Sequence, residues 1–237
     1  MSPVHSNKNG HSSERKSSCL AQNRPCLRPF PIAARLVPVA SGVLIFCASF
    51  GEMKASKYQI ALLLVLATAL AYANSLNSSF LWDDDLLVVD NTYIRNWTYF
   101  KTALVSDLFH DCTDAFASHY RPLQVVSYIF DYTFWGLKPF GYHLTNLLLH
   151  TGCVLLLFLV MEQLSGSTLL SAVVAGAFAV HPVNTNAVAY VAGRADPLCF
   201  AGMLGSLLLF LKYQRAGKTG LYALSILCYV FALFSRE

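Results

Sequence analysis

Residues 79–85 read Ser-Phe-Leu-Trp-Asp-Asp-Asp and follow closely on an apolar segment that covers residues 60–73. Three adjacent carboxylates repel one another and resist burial, so their placement at the exit of a membrane span is costly. Such a placement is typical of a site that needs a base, a cation ligand or a partner for a substrate hydroxyl. A solvated acidic cap on the span is the alternative, and this stretch alone leaves both open.

The composition points to an integral membrane protein. The chain has 237 residues, of which 55% are apolar and 13% are charged, and its mean hydropathy is +0.48. A soluble domain carries about 25% charged residues. The net charge is +4, but the basic residues cluster in a way that suits membrane topology better than nucleic-acid binding. We therefore predict membrane lipid as a partner and no nucleic acid.

Cysteine and histidine spacing indicates neither a disulfide framework nor a metal site. The seven cysteines are scattered over the polar and apolar parts of the chain, without a CxxC pair. Neither an HExxH motif nor a Cys/His pattern of the zinc type occurs. The sequence therefore predicts no metal ligands and no cofactor, and it leaves a divalent-metal requirement open.

The first 52 residues differ from the rest. Residues 1–35 are polar and lack apolar periodicity, and the apolar run 36–50 is shorter than the roughly 20 residues that a span needs. Met53 is a plausible second start, followed by lysines and an apolar run. We predict that residues 1–52 are a disordered leader or lie before a misassigned start, and that residues 53–237 form the membrane domain.

Hydropathy predicts five membrane spans. These spans are expected to be helices, because lipid offers no hydrogen-bond partners to backbone polar groups. The short loop 212–218 carries Lys212, Arg215 and Lys218, so it is predicted to be cytoplasmic. Lys54 and Lys57 before the first span agree with this orientation. The predicted spans are residues 57–76, 143–162, 168–187, 196–213 and 219–235.

This topology places residues 77–142 in one large extracytoplasmic loop. Loops above about 12–15 residues tend to be functional. Within it, residues 122–135 have helical apolar spacing, which predicts either an interfacial helix or a re-entrant or partly buried one.

A series of short motifs then resembles one known family. The motifs are Phe80-Leu-Trp-Asp-Asp-Asp85, Asn91-Thr-Tyr-Ile-Arg95, Tyr120-Arg-Pro-Leu123, Phe140-Gly-Tyr-His-Leu-Thr-Asn146 with His150, His181-Pro-Val-Asn-Thr-Asn-Ala187, Gly193-Arg-Ala-Asp196 and Phe234-Ser-Arg-Glu237. Together they resemble the membrane O-mannosyltransferases with C-terminal tetratricopeptide repeats, which include animal cadherin-targeting enzymes and bacterial relatives. The resemblance covers about residues 53–237.

The resemblance implies an all-α polytopic membrane protein with a GT-C-like helical bundle and a large first extracytoplasmic loop. It also implies transfer of a sugar, mannose in the animal relatives, from a polyprenyl- or dolichyl-phosphate donor to a serine or threonine hydroxyl of an acceptor protein. In that family, further spans and repeats follow the motif that ends here at Glu237. The chain is therefore expected to be a truncated, N-terminal part of such an enzyme.

Asp83 and Asp84 match the acidic motif of the family. A hydroxyl nucleophile needs a general base within hydrogen-bond reach, and we predict Asp83 as that base with Asp84 as the second candidate. A departing phosphate needs a cation, and an arginine fork suits its oxygens. Arg121, Arg194 and Arg236 are the candidates. A surface anchor is the alternative for each of them, and for Arg194 a pair with Asp196 is a further alternative.

Further donor or acceptor contacts are predicted within the same motifs. His143 and His150 are seven residues apart and share a helical face with Asn146. This face contacts either a donor headgroup or a neighbouring helix. Pro182, next to His181, ends or kinks the third span. The predicted contact residues are Tyr120, His143, Asn146, His150, His181 and Glu237.

The sequence also allows two other classes of function to be compared with a transferase. A catalytically inactive membrane fragment or an assembly partner of the same fold is the main alternative to an active transferase. A transporter is disfavoured, because the charges gather at the ends of spans and no inverted repeat is visible. The motifs resemble those of bacterial relatives most, which favours a bacterial inner membrane. In a eukaryote the same topology predicts the endoplasmic-reticulum membrane.

Overall fold

The computed structural model describes residues 56–105, 108 and 120–236. The predicted leader, residues 1–52, and Glu237 lie outside these residues. The part that is described contains helices and turns without any strand. Its helices are α1 (Lys57–Tyr72), α2 (Phe100–Ala103), α3 (Pro122–Trp135), α4 (Pro139–Ser165), α5 (Thr168–Val180), α6 (Thr185–Ala189), α7 (Ala195–Ala216) and α8 (Thr219–Ser235).

Among the described residues, three helical stretches are long and apolar enough to cross a membrane. They are Lys57–Asn77, Pro139–Ser165 and Val191–Ala216, and α5 with the following Pro182–Ala189 is a fourth stretch that bends by 50°. Helix α8 is apolar but has only 17 residues. The predicted all-α polytopic membrane architecture is confirmed, although the third and fifth predicted spans are a broken helix and a short one.

The break between α5 and α6 follows from Pro182, which has no backbone N–H to continue the helix. Residues 168–187 are therefore not one straight span, and the predicted kink at His181 is confirmed. The carbonyl groups freed by the break find side-chain partners. The Tyr72 hydroxyl donates to the His181 carbonyl at 3.0 Å, and Asn184 Nδ2 donates to the Phe178 carbonyl at 2.7 Å. Such partners make a broken helix tolerable at membrane depth.

Two of the apolar clusters of the described residues lie between the long helices. Helices α1, α4 and α5 meet through one cluster, and α4 packs on α7 through the other. Small side chains on α5 allow the helix axes to approach closely. The buried members are Leu64, Val154, Phe158, Ala175 and Ala179 in the first cluster, and Val160, Leu204 and Leu208 in the second.

The predicted outer loop, residues 77–142, contributes most of a hydrophobic core that also includes Val191. Helix α3 lies at its centre and has the bounds that the apolar spacing predicted. One face of α3 buries Tyr128 and Ile129, whereas Phe134 on the opposite face is 66% exposed. The partly buried alternative therefore describes α3. The core around it comprises Leu87, Val88, Ile94, Ala103, Leu108, Val125, Tyr128, Ile129, Tyr142 and Val191.

Helices α7 and α8 pack closely at Gly202, and this contact gives a first test. A Cβ at Gly202 would lie 2.9 Å from the Ala232 Cβ and 3.0 Å from the Cys228 carbonyl oxygen. We expect Gly202→Ala to destabilise the protein by about 1–3 kcal/mol, because the backbone of α8 must shift. The readout is the Tm of the detergent-extracted protein.

Gly205→Ala is the matched control on the same face of α7. Its Cβ would meet the Cys228 Sγ at 3.8 Å, an ordinary contact. Alanine also raises helix propensity by up to ~1 kcal/mol, so Tm should stay level or rise. Equal Tm values for the two variants would contradict the close packing of α7 on α8.

Candidate functional site

The acidic motif forms a tight turn that separates its carboxylates. Trp82 has a φ of +51°, an uncommon left-handed conformation for a bulky residue. The Asp84 N–H donates to the Leu81 carbonyl at 3.0 Å, and one Asp84 carboxylate oxygen accepts from the Leu81 N–H at 3.2 Å. Asp83 is exposed, whereas Asp84 is fully buried. Strained backbone of this kind is concentrated at functional sites.

Asp84 ties this turn to a distant segment, residues 190–194. Its carboxylate oxygens accept hydrogen bonds from the Ala192 N–H at 2.7 Å and the Val191 N–H at 3.3 Å. Burial raises the pKa of Asp84, whereas the hydrogen bonds that its carboxylate accepts from backbone N–H groups lower this pKa. Because both oxygens have backbone donors, Asp84 anchors the turn.

Side chains of α3 and α4 hold the same segment from its other side. The Tyr128 hydroxyl donates to the Val191 carbonyl at 3.0 Å, and Gln124 Nε2 donates to the Ala192 carbonyl at 2.8 Å. Burial raises the pKa of Tyr128 to about 12, so its hydroxyl remains a donor at neutral pH. Asn146 Nδ2 donates to the Tyr190 carbonyl at 3.0 Å.

Arg194 is the centre of the buried network. Its guanidinium is fully buried and pairs with Asp131 at 2.6 Å. It also donates to Asn146 Oδ1 at 2.7 Å and to the Tyr142 carbonyl at 2.9 Å. The guanidinium carbon lies 4.8 Å from the centroid of the Tyr128 ring. Burial raises the pKa of Asp131, and the Arg194 charge lowers it.

A cavity of about 350 Å³ opens beside the acidic turn. It brings the predicted base Asp83 together with two of the predicted phosphate ligands, Arg121 and Arg236. These residues come from the acidic turn, the start of α3 and the end of α8, respectively. The other lining residues are Leu87, Leu108, Asn186, Tyr190, Ala192, Gly193, Ala195 and Asp196.

The structure corrects the predictions for Arg194. It pairs with Asp131 and not with Asp196, which instead forms an ion pair with Arg236 at the cavity. The guanidinium of Arg194 lies in the interior with its donors used, so it is neither a surface anchor nor turned toward the cavity. These contacts give Arg194 a structural role, because they join α3, α4 and the segment 190–194.

The predicted contact residues on α4 lie in the interior. His143 is fully buried near Asp84, and Asn146 bonds Arg194 and Tyr190 as described. His150 Nε2 lies 3.3 Å from the Ala179 carbonyl of α5, so this histidine makes the helix-to-helix contact that was one of its two interpretations. None of these three residues lines the 350 Å³ cavity.

His181 and Tyr120 have local roles. His181 Nδ1 accepts from the Val183 N–H at 3.2 Å and so caps the turn after α5. The Tyr120 hydroxyl donates to the Leu104 carbonyl, and Tyr120 also lines an apolar groove. This groove has a volume of about 550 Å³ and is lined by Leu104, Tyr120, Pro122, Leu123, Leu227, Val230, Phe231 and Phe234.

Three polar residues of the cavity were not among the predicted site residues. Asn186 and Tyr190 follow the break at Pro182, and Asp196 lies in the first turn of α7. Asn186 and Asp196 stand inside motifs quoted above, which was the available signal. Tyr190 lies between two motifs and had none. Among the described residues, no group of three His, Cys, Asp or Glu side chains is arranged to hold a metal ion.

Fold and site together define a polytopic all-α membrane protein with a charged cavity where several of its helices begin or end. No family model matches the chain, and no solved structure gives a significant match. Curated relatives do match. The chain is 36% identical over 172 residues to the protein O-mannosyl-transferase Tmtc1 of Drosophila melanogaster, an alignment that covers 70% of this chain and 20% of that protein.

Two other relatives agree with this match. Identity is 38% to the protein O-mannosyl-transferase TMTC1 of Mus musculus and 31% to TMTC4 of Homo sapiens, covering 68% and 70% of this chain and 17% and 26% of those proteins. The chain thus spans about a fifth of the length of these relatives. Over that part it is a relative of the protein O-mannosyl-transferases, as the motifs predicted.

The buried pair gives a prediction about the stability of the site. Asp131→Asn leaves the Arg194 charge buried without its counter-ion, and breaking a buried pair in this way costs about 3–5 kcal/mol. We expect a clearly lower Tm of the detergent-extracted protein.

The exposed carboxylate Asp90 provides the control, since Asp90→Asn should leave Tm unchanged. The double variant Asp131→Leu/Arg194→Met removes both charges and should recover part of the loss. A Tm for Asp131→Asn equal to that of the unmodified protein would refute the structural role of the pair.

Proposed function

We propose that the protein, or the longer protein of which this chain is a part, transfers a sugar from a lipid-linked phosphate donor to serine or threonine hydroxyls of an acceptor protein. The names of the relatives suggest mannose. The observation that carries the proposal is one cavity that is lined by an exposed carboxylate, Asp83, and by two arginines, Arg121 and Arg236. A base and a phosphate ligand are the two groups that this reaction needs.

In the proposed reaction Asp83 is the general base. Its carboxylate takes the proton of the acceptor hydroxyl while the hydroxyl oxygen forms a bond to the anomeric carbon of the sugar. The bond from that carbon to the phosphate oxygen breaks, and the lipid phosphate leaves with the bonding electrons. Asp83 suits this role better than Asp84, because Asp84 is buried and accepts from three backbone N–H groups.

Arg121 and Arg236 are proposed to bind the phosphate and to stabilise the charge that develops on it. Two guanidinium groups can donate hydrogen bonds to two or three phosphate oxygens at the same time. Asp196 pairs with Arg236, and the two side chains are 41% and 47% exposed. Such an exposed pair costs little to rearrange, so a phosphate can replace or join Asp196 as the partner of Arg236.

The apolar groove is the proposed site of the lipid chain. Tyr120 and Pro122, which flank Arg121 in the sequence, line this groove, and so does Phe234, two residues before Arg236. A polyprenyl or dolichyl chain in the groove would therefore carry its phosphate to both arginines. An apolar groove whose lining residues neighbour two arginines in the sequence suits a lipid phosphate better than a nucleotide sugar.

The fold and location follow from the same proposal. We propose a GT-C-like bundle in which the acidic turn, the hydrophobic core around α3 and the cavity lie on the extracytoplasmic side. That side would be the periplasm in a bacterium and the lumen of the endoplasmic reticulum in a eukaryote. The sequons at Asn77 and Asn96 offer a topology test in a eukaryotic host, since glycosylation occurs only on the luminal side.

Asp83→Asn tests the base. The substitution keeps the shape of the side chain and removes its basicity, so we expect transfer from a radiolabelled lipid-phosphate donor to fall at least 100-fold in the full-length protein in membranes. Membrane accumulation should not change. The control is Asp90→Asn, an exposed carboxylate that does not line the cavity. Retained transfer by Asp83→Asn would remove Asp83 from this role.

Arg236→Gln tests the phosphate contact. Loss of one charge-assisted bond should raise KM for the lipid donor about tenfold and leave KM for the acceptor within about twofold. Arg215→Gln serves as control, since Arg215 donates to the Gln163 carbonyl at the C-terminal end of α7, away from the cavity. An unchanged donor KM in Arg236→Gln would exclude Arg236 as a phosphate ligand.

A further inference from the structure

We propose that Tyr190 is a positioning residue for Asp83 and that its hydroxyl holds the Asp83 carboxylate in the orientation that receives the acceptor proton. This inference rests on the proposed function, because it assigns Tyr190 a role through the proposed base. No motif in the sequence marks Tyr190. Its role emerges only from the way the folded chain brings residues 82–84 and 190–192 together.

Tyr190 and Asp83 line the same cavity. The Tyr190 hydroxyl lies close to both the side chain and the backbone of Asp83, near enough for the Asp83 carboxylate to raise the pKa of this hydroxyl. Its ring lies edge-to-face against Trp82, with centroids 6.1 Å apart and an interplanar angle of 70°. Tyr190 thus contacts both the strained residue of the acidic turn and the carboxylate that follows it.

The backbone of Tyr190 is held as firmly as its side chain. Asn146 donates to its carbonyl at 3.0 Å, and the next two N–H groups bind Asp84. The Tyr190 ring therefore stands in a fixed place relative to the acidic turn. This geometry makes the contact with Asp83 a consequence of the buried network.

An exposed aspartate rotates among several rotamers, and only some of them suit proton transfer. A hydroxyl that donates to one oxygen selects among these rotamers and leaves the second oxygen for the acceptor hydroxyl. Burial, the hydrogen bond to Asp83 and the charge of its carboxylate raise the pKa of the Tyr190 hydroxyl. It therefore stays protonated and remains a donor through the range in which a carboxylate base works.

The experiment is Tyr190→Phe in the full-length protein, assayed in membranes with a lipid-phosphate sugar donor. We expect kcat to fall about tenfold while KM for the donor stays within about twofold, because the lost hydroxyl orients the base and does not touch the phosphate. Tyr58→Phe is the matched control: Tyr58 is 87% exposed at the start of α1, and its variant should keep full activity.

A rate–pH profile separates positioning of the base from a structural effect. The hydroxyl donates to the ionised carboxylate and favours that form. Without it, the acidic limb of kcat/KM should move to higher pH in Tyr190→Phe, and activity should recover partly as pH rises. The charged or titratable groups around Asp83 remain the same in both proteins: Asp84, Asp85, Arg121, Asp196 and Arg236, with His143 behind Asp84.

Each outcome bears on the proposal. A reduced kcat with a displaced acidic limb supports it. A normal kcat, or a reduced kcat with an unmoved profile, overturns it. Failure of Tyr190→Phe to accumulate also overturns it, because the hydroxyl would then serve the fold. Retained activity of Asp83→Asn would instead defeat the proposed function, so the two failures can be distinguished.

Discussion

The buried ion pair of Arg194 with Asp131 is the interaction on which the site depends. A guanidinium that is fully buried must have its charge neutralised and its N–H groups bonded, and here one carboxylate, two side-chain oxygens and one backbone carbonyl do so. The same partners have second contacts. Asn146, which accepts from Arg194, donates to the Tyr190 carbonyl, and the pair thereby holds the segment that faces the acidic turn.

This network divides residues of the same type into two roles. Asp84 and Arg194 are buried and bonded on all sides, whereas Asp83 and Arg236 keep solvent access at the cavity. The left-handed backbone at Trp82 contributes to the division, because it lies in the turn that sends successive carboxylates in different directions. In a preorganised site, buried and fully bonded groups fix the positions of the groups that meet the substrate. Asp84 and Arg194 are of the first kind, and Asp83 and Arg236 are of the second.

Much of the architecture was accessible from local patterns, but the division of roles was not. Hydropathy located the long spans, helical spacing located α3, and Pro182 located the break, since each depends on neighbouring residues. Asp84 instead bonds N–H groups that are 107 and 108 residues away in the sequence. Such contacts decide which aspartate and which arginine are buried. Tyr190 was missed for the same reason, since its partner is remote and no motif contains it.

The broken helix is what makes these remote contacts possible. A straight continuation of α5 over the nine residues 181–189 would advance about 14 Å along the helix axis and carry Tyr190 away from the acidic turn. The break at Pro182 instead redirects the chain by 50°, and α6 packs back on α4. The break leaves backbone carbonyl groups without their helical hydrogen-bond donors, and the side chains of Tyr72 and Asn184 donate to two of these carbonyls. The break that interrupts the span therefore places residues 190–194 next to Asp84. Three residues of this segment, Tyr190, Ala192 and Gly193, also line the cavity.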